Sequence, residues 1–367
     1  MIKSCYIHIP FCQTICSYCD FCKMFYHKKM VSDYLECLEK EIKNIYQKEI
    51  LDTIYIGGGT PSCLDYDELE RLFKILEKLN KSQKIEYTIE GNFESTNQEK
   101  LELYKKYGIN RLSFGLESID SNNLELLERS ISKTKVSQII KQARKIGFHN
   151  INVDLIYALP KETYEVLKKD LDFLFTLNIE HISTYSLMIE EHTKLWIKNI
   201  KAINTEKDAK MYQLICKEMK KHAYNHYEIS NFAKEGYESK HNLTYWNNEE
   251  YYGFGLGASS YRKNSRVTNT KSIQQYQMGL YSREIEIVNT KEKIEYEVNL
   301  NLRKKTGIDL ELFKNKYNKT FSDIYSYQNL IEQKLLCEGK NHLFIPEEKW
   351  YISNEIIVRL LGCEKNE

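Results

Sequence analysis

No apolar run in the 367-residue sequence is long enough to cross a bilayer, so a membrane-spanning helix is excluded. The chain also has almost no excess of either charge: 53 Lys and Arg stand against 52 Asp and Glu, a net of +1. Such a chain has no long-range field to draw in a polyanion, and nucleic acid is not an expected partner. No secretory signal is visible at Met1-Ile2-Lys3-Ser4, which runs straight into a strand-like segment. A cytoplasmic location is expected, with peripheral membrane contact left open. No low-complexity linker and no internal repeat divides the chain.

What is present is enough apolar material, 42% of residues, for one large domain and a smaller one. Strand-like segments at 5–9, 53–56, 85–90, 111–116, 151–157, 181–187 and 226–230 alternate with helical patterns. One helical face carries Leu69, Leu72, Phe73, Leu76 and Leu79; another carries Val136, Ile139, Ile140, Ala143 and Ile146; a third carries Leu167, Leu171 and Leu174. Gly108 and Gly147 follow helical stretches, where a left-handed cap is expected. Six or seven β-α units imply a parallel sheet with right-handed crossovers, hence an α/β fold forming a partial or full (β/α) barrel. Chemistry in such folds sits at the C-terminal ends of the strands. Residues 57–62, 90–92, 115–118 and 158–160 fall there. The expected division is a barrel over 1–235, a connecting segment over 236–290 rich in Gly, Asn and aromatic residues, and a small, mainly helical, winged-helix-like domain over 291–367.

Ten cysteines are present, and four of them fall at 12, 16, 19 and 22. Without a secretory signal, so tight a group reads as a metal site rather than a disulfide framework. The C-x3-C-x2-C spacing of Cys12, Cys16 and Cys19 lets one loop wrap three thiolates around a cuboidal cluster and leaves one iron open. A four-cysteine zinc or electron-transfer site including Cys22 has compatible spacing and stays open on spacing alone. One β-α unit later comes Gly57-Gly58-Gly59-Thr60-Pro61-Ser62, where glycines let backbone approach a ligand closely. It is neither a dinucleotide fingerprint nor a P-loop.

These motifs, in this order, resemble the radical S-adenosylmethionine (SAM) superfamily. Within it, the chain looks like the coproporphyrinogen-oxidase-like branch and its heme chaperone HemW family. The resemblance rests on Tyr6-Ile7-His8-Ile9-Pro10-Phe11-Cys12, Tyr18-Cys19-Asp20-Phe21 and Asn110-Arg111-Leu112-Ser113-Phe114-Gly115. It continues through Asp154-Leu155-Ile156-Tyr157-Ala158-Leu159-Pro160, Ser183-Thr184-Tyr185-Ser186-Leu187, Tyr227-Glu228-Ile229-Ser230-Asn231-Phe232-Ala233 and His241-Asn242-Leu243-Thr244-Tyr245-Trp246. It implies a radical SAM barrel with a [4Fe–4S] cluster on Cys12, Cys16 and Cys19. The implied SAM site contains Tyr6, Tyr18, Gly58, Gly59, Thr60, Glu90, Glu117, Arg129, Asp154 and Met188. A zwitterion and a diol call for such a carboxylate, guanidinium and acceptor set. The chain departs from the family pattern at Glu117, where Gln is usual, at Glu128-Arg129-Ser130-Ile131 in place of Gly-Arg-x-His, at Phe93 in place of Pro, and at Ala158 in place of Gly.

Two activities share this resemblance. The oxidase uses a SAM-derived radical to decarboxylate propionates of coproporphyrinogen; the chaperone binds finished heme and passes it to an acceptor protein. Eleven residues precede Cys12, where the oxidase is expected to carry a longer extension, and Asp20-Phe21 separate Cys19 from Cys22 where the oxidase has Cys-x-Cys. His241, Tyr245 and Trp246 match the chaperone's heme-associated motif. Imidazole is a common axial ligand of heme iron, and flat aromatics suit a porphyrin. The expected function is therefore a heme chaperone. The oxidase, or a radical SAM enzyme with another substrate, is the alternative. Whether SAM is turned over is left open. A Cys frequent in the family before the His is Ser239 here. His8 reads as packing under the barrel mouth.

Overall fold

The computed structural model describes residues 1–365. Helix α1, Lys28–Ile45, follows the first strand, β1, Ser4–Ile9. Five further β-strands alternate with helices: β2, Leu51–Gly58; β3, Lys81–Asn92; β4, Arg111–Glu117; β5, Ile151–Tyr157; and β6, His181–Ser186. Each lies where the sequence pattern places a strand, most of them longer by one to four residues at an end. Between them come α2, Tyr66–Leu76; α3, Gln98–Lys106; α4, Ser121–Leu127; α5, Lys133–Ile146; and α6, Tyr164–Thr176.

Local chemistry sets these boundaries. Asp65 and Glu68 form a reciprocal capping box at the start of α2. Ser132 caps the N-terminus of α5, and Gly147 ends it at φ +98°, a conformation glycine adopts without a Cβ clash. The faces of α2 and α5 picked out by spacing are buried: Leu69, Leu72, Phe73 and Leu76, and Val136, Ile139, Ile140 and Ala143. Full burial of such a Leu or Phe contributes about 1.5–3 kcal/mol.

The chain forms two units. One comprises Met1–Glu218 and Glu250–Ile287; the other comprises Met219–Glu249 and Val288–Glu367. This differs from a division at 235 and 290. The segment expected as a connector is split: its N-terminal part joins the second unit, and four strands from it extend the first unit's sheet. They are β7, Tyr251–Phe254; β8, Ser259–Arg262; β9, Ser265–Asn269; and β10, Ser282–Ile287. Strand β7 runs parallel to β1, pairing Ser4 with Tyr251 and Ile7 with Phe254. The aromatic β7 and β8 carry no clear period-2 signal, and β10, which does alternate over Glu284-Ile285-Glu286-Ile287, buries neither face. In the first unit the order is β10-β9-β8-β7-β1-β2-β3-β4-β5-β6, with seven consecutive parallel strands and an order that does not close on itself. This is the partial-barrel form of the expected α/β fold.

The two faces of the parallel sheet are chemically opposite. Cys5, Ile7, Ile9, Ile54, Ile56, Leu112, Phe114, Val153 and Leu155 are fully or almost fully buried in an apolar layer. Alternate residues on the other face are polar: Tyr6, His8, Tyr55, Glu90, Ser113, Asn152, Asp154, His181 and Ser183. Groups of this kind are tolerated when buried only where they are hydrogen-bonded.

The second unit has its own core around Val298, Leu302, Phe313, Phe321, Leu343, Trp350 and Leu360. Helices including Thr290–Asn301, Leu310–Tyr317 and Ser353–Leu361 pack with a three-stranded sheet of Ile308–Asp309, His342–Phe344 and Cys337–Glu338. No helix among the described residues is long and apolar enough to cross a membrane.

Candidate cluster and cofactor site

Between Cys12 and Met24 the chain makes a pinched loop. Its two ends, Phe11–Cys12 and Met24–Phe25, pair in parallel. Met24 N donates to Pro10 O at 2.7 Å and Tyr26 N to Cys12 O at 2.8 Å. The loop is also held from outside: Ser17 N and Oγ donate to Leu127 O and Leu126 O, and Leu195 N donates to Ser17 O. Lys194 Nζ donates to Ile15 O.

This loop forms one wall of a cavity of about 400 Å³ at the C-terminal ends of the strands. Cys12, Cys16 and Cys19 line it and Cys22 does not. The Cys22 carbonyl accepts from His8 Nε2 at 2.7 Å, and its side chain sits where a Cβ on Gly257 would fall, 2.6 Å away. His8 Nδ1 accepts from the Tyr6 hydroxyl at 3.0 Å, and burial lowers the His8 pKa to about 4. Burial pushes the Cys12, Cys16 and Cys19 thiols up, Cys19 to about 11. Among the described residues no three His, Cys, Asp or Glu side chains converge on a single ion. A cuboidal cluster takes each thiolate on a different iron, so its ligands need not converge.

The glycine loop packs against the cysteine loop because it carries no side chains there. A Cβ on Gly59 would stand 2.9 Å from Cys12 Sγ and 2.8 Å from Phe11 O; one on Gly57 would stand 2.7 Å from the Glu90 carboxylate. Gly59 N and Thr60 N donate to Ile9 O and Phe11 O, and Thr60 Oγ1 lies 3.6 Å from Cys12 Sγ.

The opposite wall is charged. Glu90 accepts from Tyr55 Oη at 2.7 Å and Gly58 N at 3.0 Å. Its burial raises the carboxyl to about 7 against these two hydrogen bonds. Arg129 donates to Glu117 at 3.1 Å, to Gly115 O at 3.1 Å and through two nitrogens to Glu94. Burial works against the guanidinium charge, but Glu117 and Glu94 outweigh it and hold Arg129 protonated. Glu117 Oε1 also accepts from Tyr18 Oη at 2.9 Å. Burial raises Glu117 to about 7 despite Arg129 beside it. Burial likewise raises Asp154, while its hydrogen bonds with Ser183 and Asn152 hold it back.

Of the ten residues expected around SAM, Tyr18, Gly58, Gly59, Thr60, Glu90, Glu117, Arg129, Asp154 and Met188 line this cavity. Tyr6 does not. It stands one step below the lining, its ring stacked on Tyr55 and its hydroxyl spent on His8. Ser113, Ile156 and Tyr185 line the cavity without having been singled out. Their signal was strand alternation, since each lies two residues from a polar or glycine position on the same face. Glu94, the second acidic partner of Arg129, had no signal in the sequence.

His241, Tyr245 and Trp246 belong to the second unit and lie on a short helix, Lys240–Trp246. Ser239, in place of the family's Cys, caps this helix by accepting from Asn242 N. His241 is only 1% exposed, and its Nε2 lies 2.8 Å from Tyr245 Oη with the rings edge to face. Trp246 hydrogen-bonds Glu228, a carboxylate raised to about 8 by its burial.

A three-cysteine loop, a glycine loop and a charged wall at the strand ends of an open parallel sheet define the radical SAM class. Residues 6–174 match the radical SAM superfamily model. The E. coli coproporphyrinogen III oxidase HemN, a radical SAM enzyme, has the same fold. It matches with a TM-score of 0.86 at 21% identity, over 97% of this chain and 89% of that one. Membership of the class implies a [4Fe–4S] cluster and SAM. The chain is 37% identical over 369 residues to the heme chaperone HemW of Lactococcus lactis subsp. lactis (strain IL1403), covering 98% of this chain and 97% of that protein. It is 37% identical over 377 residues to the heme chaperone HemW of Bacillus subtilis (strain 168), covering 98% and 100%. The chain belongs to the HemW family of heme chaperones.

Proposed function

We propose that this protein binds heme and hands it to an acceptor protein, with a [4Fe–4S] cluster on Cys12, Cys16 and Cys19 and SAM in the adjoining cavity. The observation that carries the cluster assignment is the cavity wall, which takes these three thiols and leaves Cys22 outside. The donor set fits the cofactors: three thiols for three irons, then acids and a guanidinium for a zwitterion. When bound, the cluster and SAM supply one-electron chemistry at the open iron. The protein's own groups do the rest. Tyr18, Gly58, Gly59 and Thr60 border the cluster side. Glu90, Glu117, Arg129 and Asp154 offer charge to the amino-acid and ribose portions of SAM, with Met188 at the exposed edge. Assembly must expel three thiol protons, and burial of those thiols makes it pH-dependent.

Heme is assigned to His241, Tyr245 and Trp246 by the family motif. To reach iron, His241 Nε2 must leave the Tyr245 hydroxyl, so binding requires a rearrangement of this pair. The location expected is the cytoplasm. The test is anaerobic cluster reconstitution followed by heme titration and a SAM-cleavage assay on one sample. Stoichiometric heme binding without coproporphyrinogen decarboxylation is expected. Protoporphyrinogen formation would establish the oxidase instead.

A further inference from the structure

Beneath the cavity, on the polar face of the sheet, three neighbouring strands place an amide at the centre of a closed set of hydrogen bonds. Asn152 of β5 pairs in register with Ser113 of β4 on one side and His181 of β6 on the other. Its Nδ2 donates to Ser113 Oγ at 2.8 Å and to Asp154 Oδ1 at 2.8 Å. Its Oδ1 lies 2.6 Å from His181 Nδ1 and accepts from Ser183 Oγ at 3.1 Å. Asn152, His181 and Ser183 are each 3% exposed or less. Both N–H donors and the oxygen of the amide are therefore partnered away from solvent.

With Asp154 ionised, the arrangement has one chemically consistent reading. An amide oxygen only accepts, so His181 carries its proton on Nδ1. The Ser183 hydroxyl also reaches Asp154, and its one proton serves one acceptor at a time. The His181 bond and the Nδ2–Asp154 bond together fix which way the amide points. Turned over, Asn152 would set its NH2 against the His181 N–H and its oxygen against the Asp154 carboxylate, two repulsive contacts in a buried setting.

We propose that Asn152, locked by His181, is a positioning residue that holds the Asp154 carboxylate at the cavity wall in the orientation that receives a hydrogen-bond donor of SAM. The proposal rests on the reading of the cavity as the SAM site. Asp154 touches the cofactor; Asn152 and His181 act through it.

The test is calorimetric SAM binding to the reconstituted chain, with iron content and melting temperature measured on each variant. Asp154→Asn and Asn152→Ala should each weaken SAM about tenfold, the scale of one charge-assisted hydrogen bond. The double variant should bind no more weakly than Asp154→Asn alone, because the amide has nothing left to position. His181→Phe should weaken SAM several-fold by removing one of the two bonds that orient the amide, and His181→Asn, which returns an N–H donor near the Nδ1 position, should restore it. A merely structural role would give additive losses and no rescue. If Asp154→Asn weakens binding but Asn152→Ala and His181→Phe do not, or if the losses add, the positioning role is overturned and the SAM site stands. If Asp154→Asn itself leaves affinity unchanged, Asp154 is no SAM contact and the positioning role falls with that assignment.

Discussion

Replacing Glu117 by Gln tests the electrostatics of the cavity wall directly. The carboxyl is moved from 4.5 to about 7, chiefly by burial, with Arg129 pulling the other way and Asp154 adding to the rise. At about 1.4 kcal/mol per pKa unit, ionising this group in the fold lies about 3 kcal/mol above ionising it in the unfolded chain. A folded-state pKa above the unfolded one means stability that is complete below about 4.5 and is lost as pH rises through about 7. Gln has no proton to lose, and its oxygen can still accept from Arg129 Nη1 and Tyr18 Oη, which share Oε1 in the native chain. The variant should therefore be more stable than the native protein by about 3 kcal/mol at pH 8 and by under about 1 kcal/mol at pH 5. Anaerobic thermal unfolding at both pH values reads this as a shift of several degrees at pH 8 that nearly vanishes at pH 5. An equal shift at both would mean that Glu117 does not bind a proton in this range. A native chain more stable than the variant at pH 8 would mean that the Arg129 pair outweighs desolvation.

Cys16→Ala should abolish the cluster absorbance and iron content of the reconstituted protein, whereas Cys22→Ala should leave both largely intact; equal losses would restore the four-cysteine site. Arg129→Ala should weaken SAM by about tenfold or more, since charge-assisted hydrogen bonds are worth about 1.5–3 kcal/mol, and unchanged calorimetric affinity would remove Arg129 from the cofactor site. His241→Ala should shift the heme absorbance spectrum or lower heme affinity, while a variant lacking Cys12, Cys16 and Cys19 should still bind heme; an unaltered spectrum in His241→Ala would place the ligand elsewhere.

The strand-helix alternation was legible because each strand of the parallel sheet buries one apolar face and each helix repeats its apolar residues at three and four. The cavity-lining residues were legible because strand ends and glycine loops are where this fold exposes backbone and charge. Three things were not. The strands from Tyr251 to Ile287 are short, and β10 alternates over Glu284-Ile285-Glu286-Ile287 yet is exposed along its whole length, so its pattern points to no core. Tyr6 lies outside the cavity lining with its hydroxyl on His8, and strand alternation gives the face of Tyr6 but not its depth along the strand. The motif marks His241 as a heme ligand but not its burial: a helix capped by Ser239 turns it inward against Tyr245.

Two of the departures from the family pattern, at Ala158 and Glu128, fall where the backbone favours glycine. Ala158 sits at φ +62° and Glu128 at φ +54°, the left-handed region where the family's glycines are at ease. A side chain there costs roughly 1–2 kcal/mol. At Glu128 the side chain does something a glycine would not: it accepts from Lys194 Nζ at 2.5 Å and Lys198 Nζ at 3.1 Å. Partly exposed ion pairs of this kind contribute about 0–1 kcal/mol each, so they offset the strain only in part. Their larger effect is geometric. Lys194 also donates to Ile15 O inside the cysteine loop, and Leu195 N donates to Ser17 O. Glu128 thus ties the short helix Lys194–Ile197 to the end of α4 and, through Lys194, to the loop that presents Cys16. The backbone strain at Glu128 is thus localised at a contact that fixes the cysteine loop.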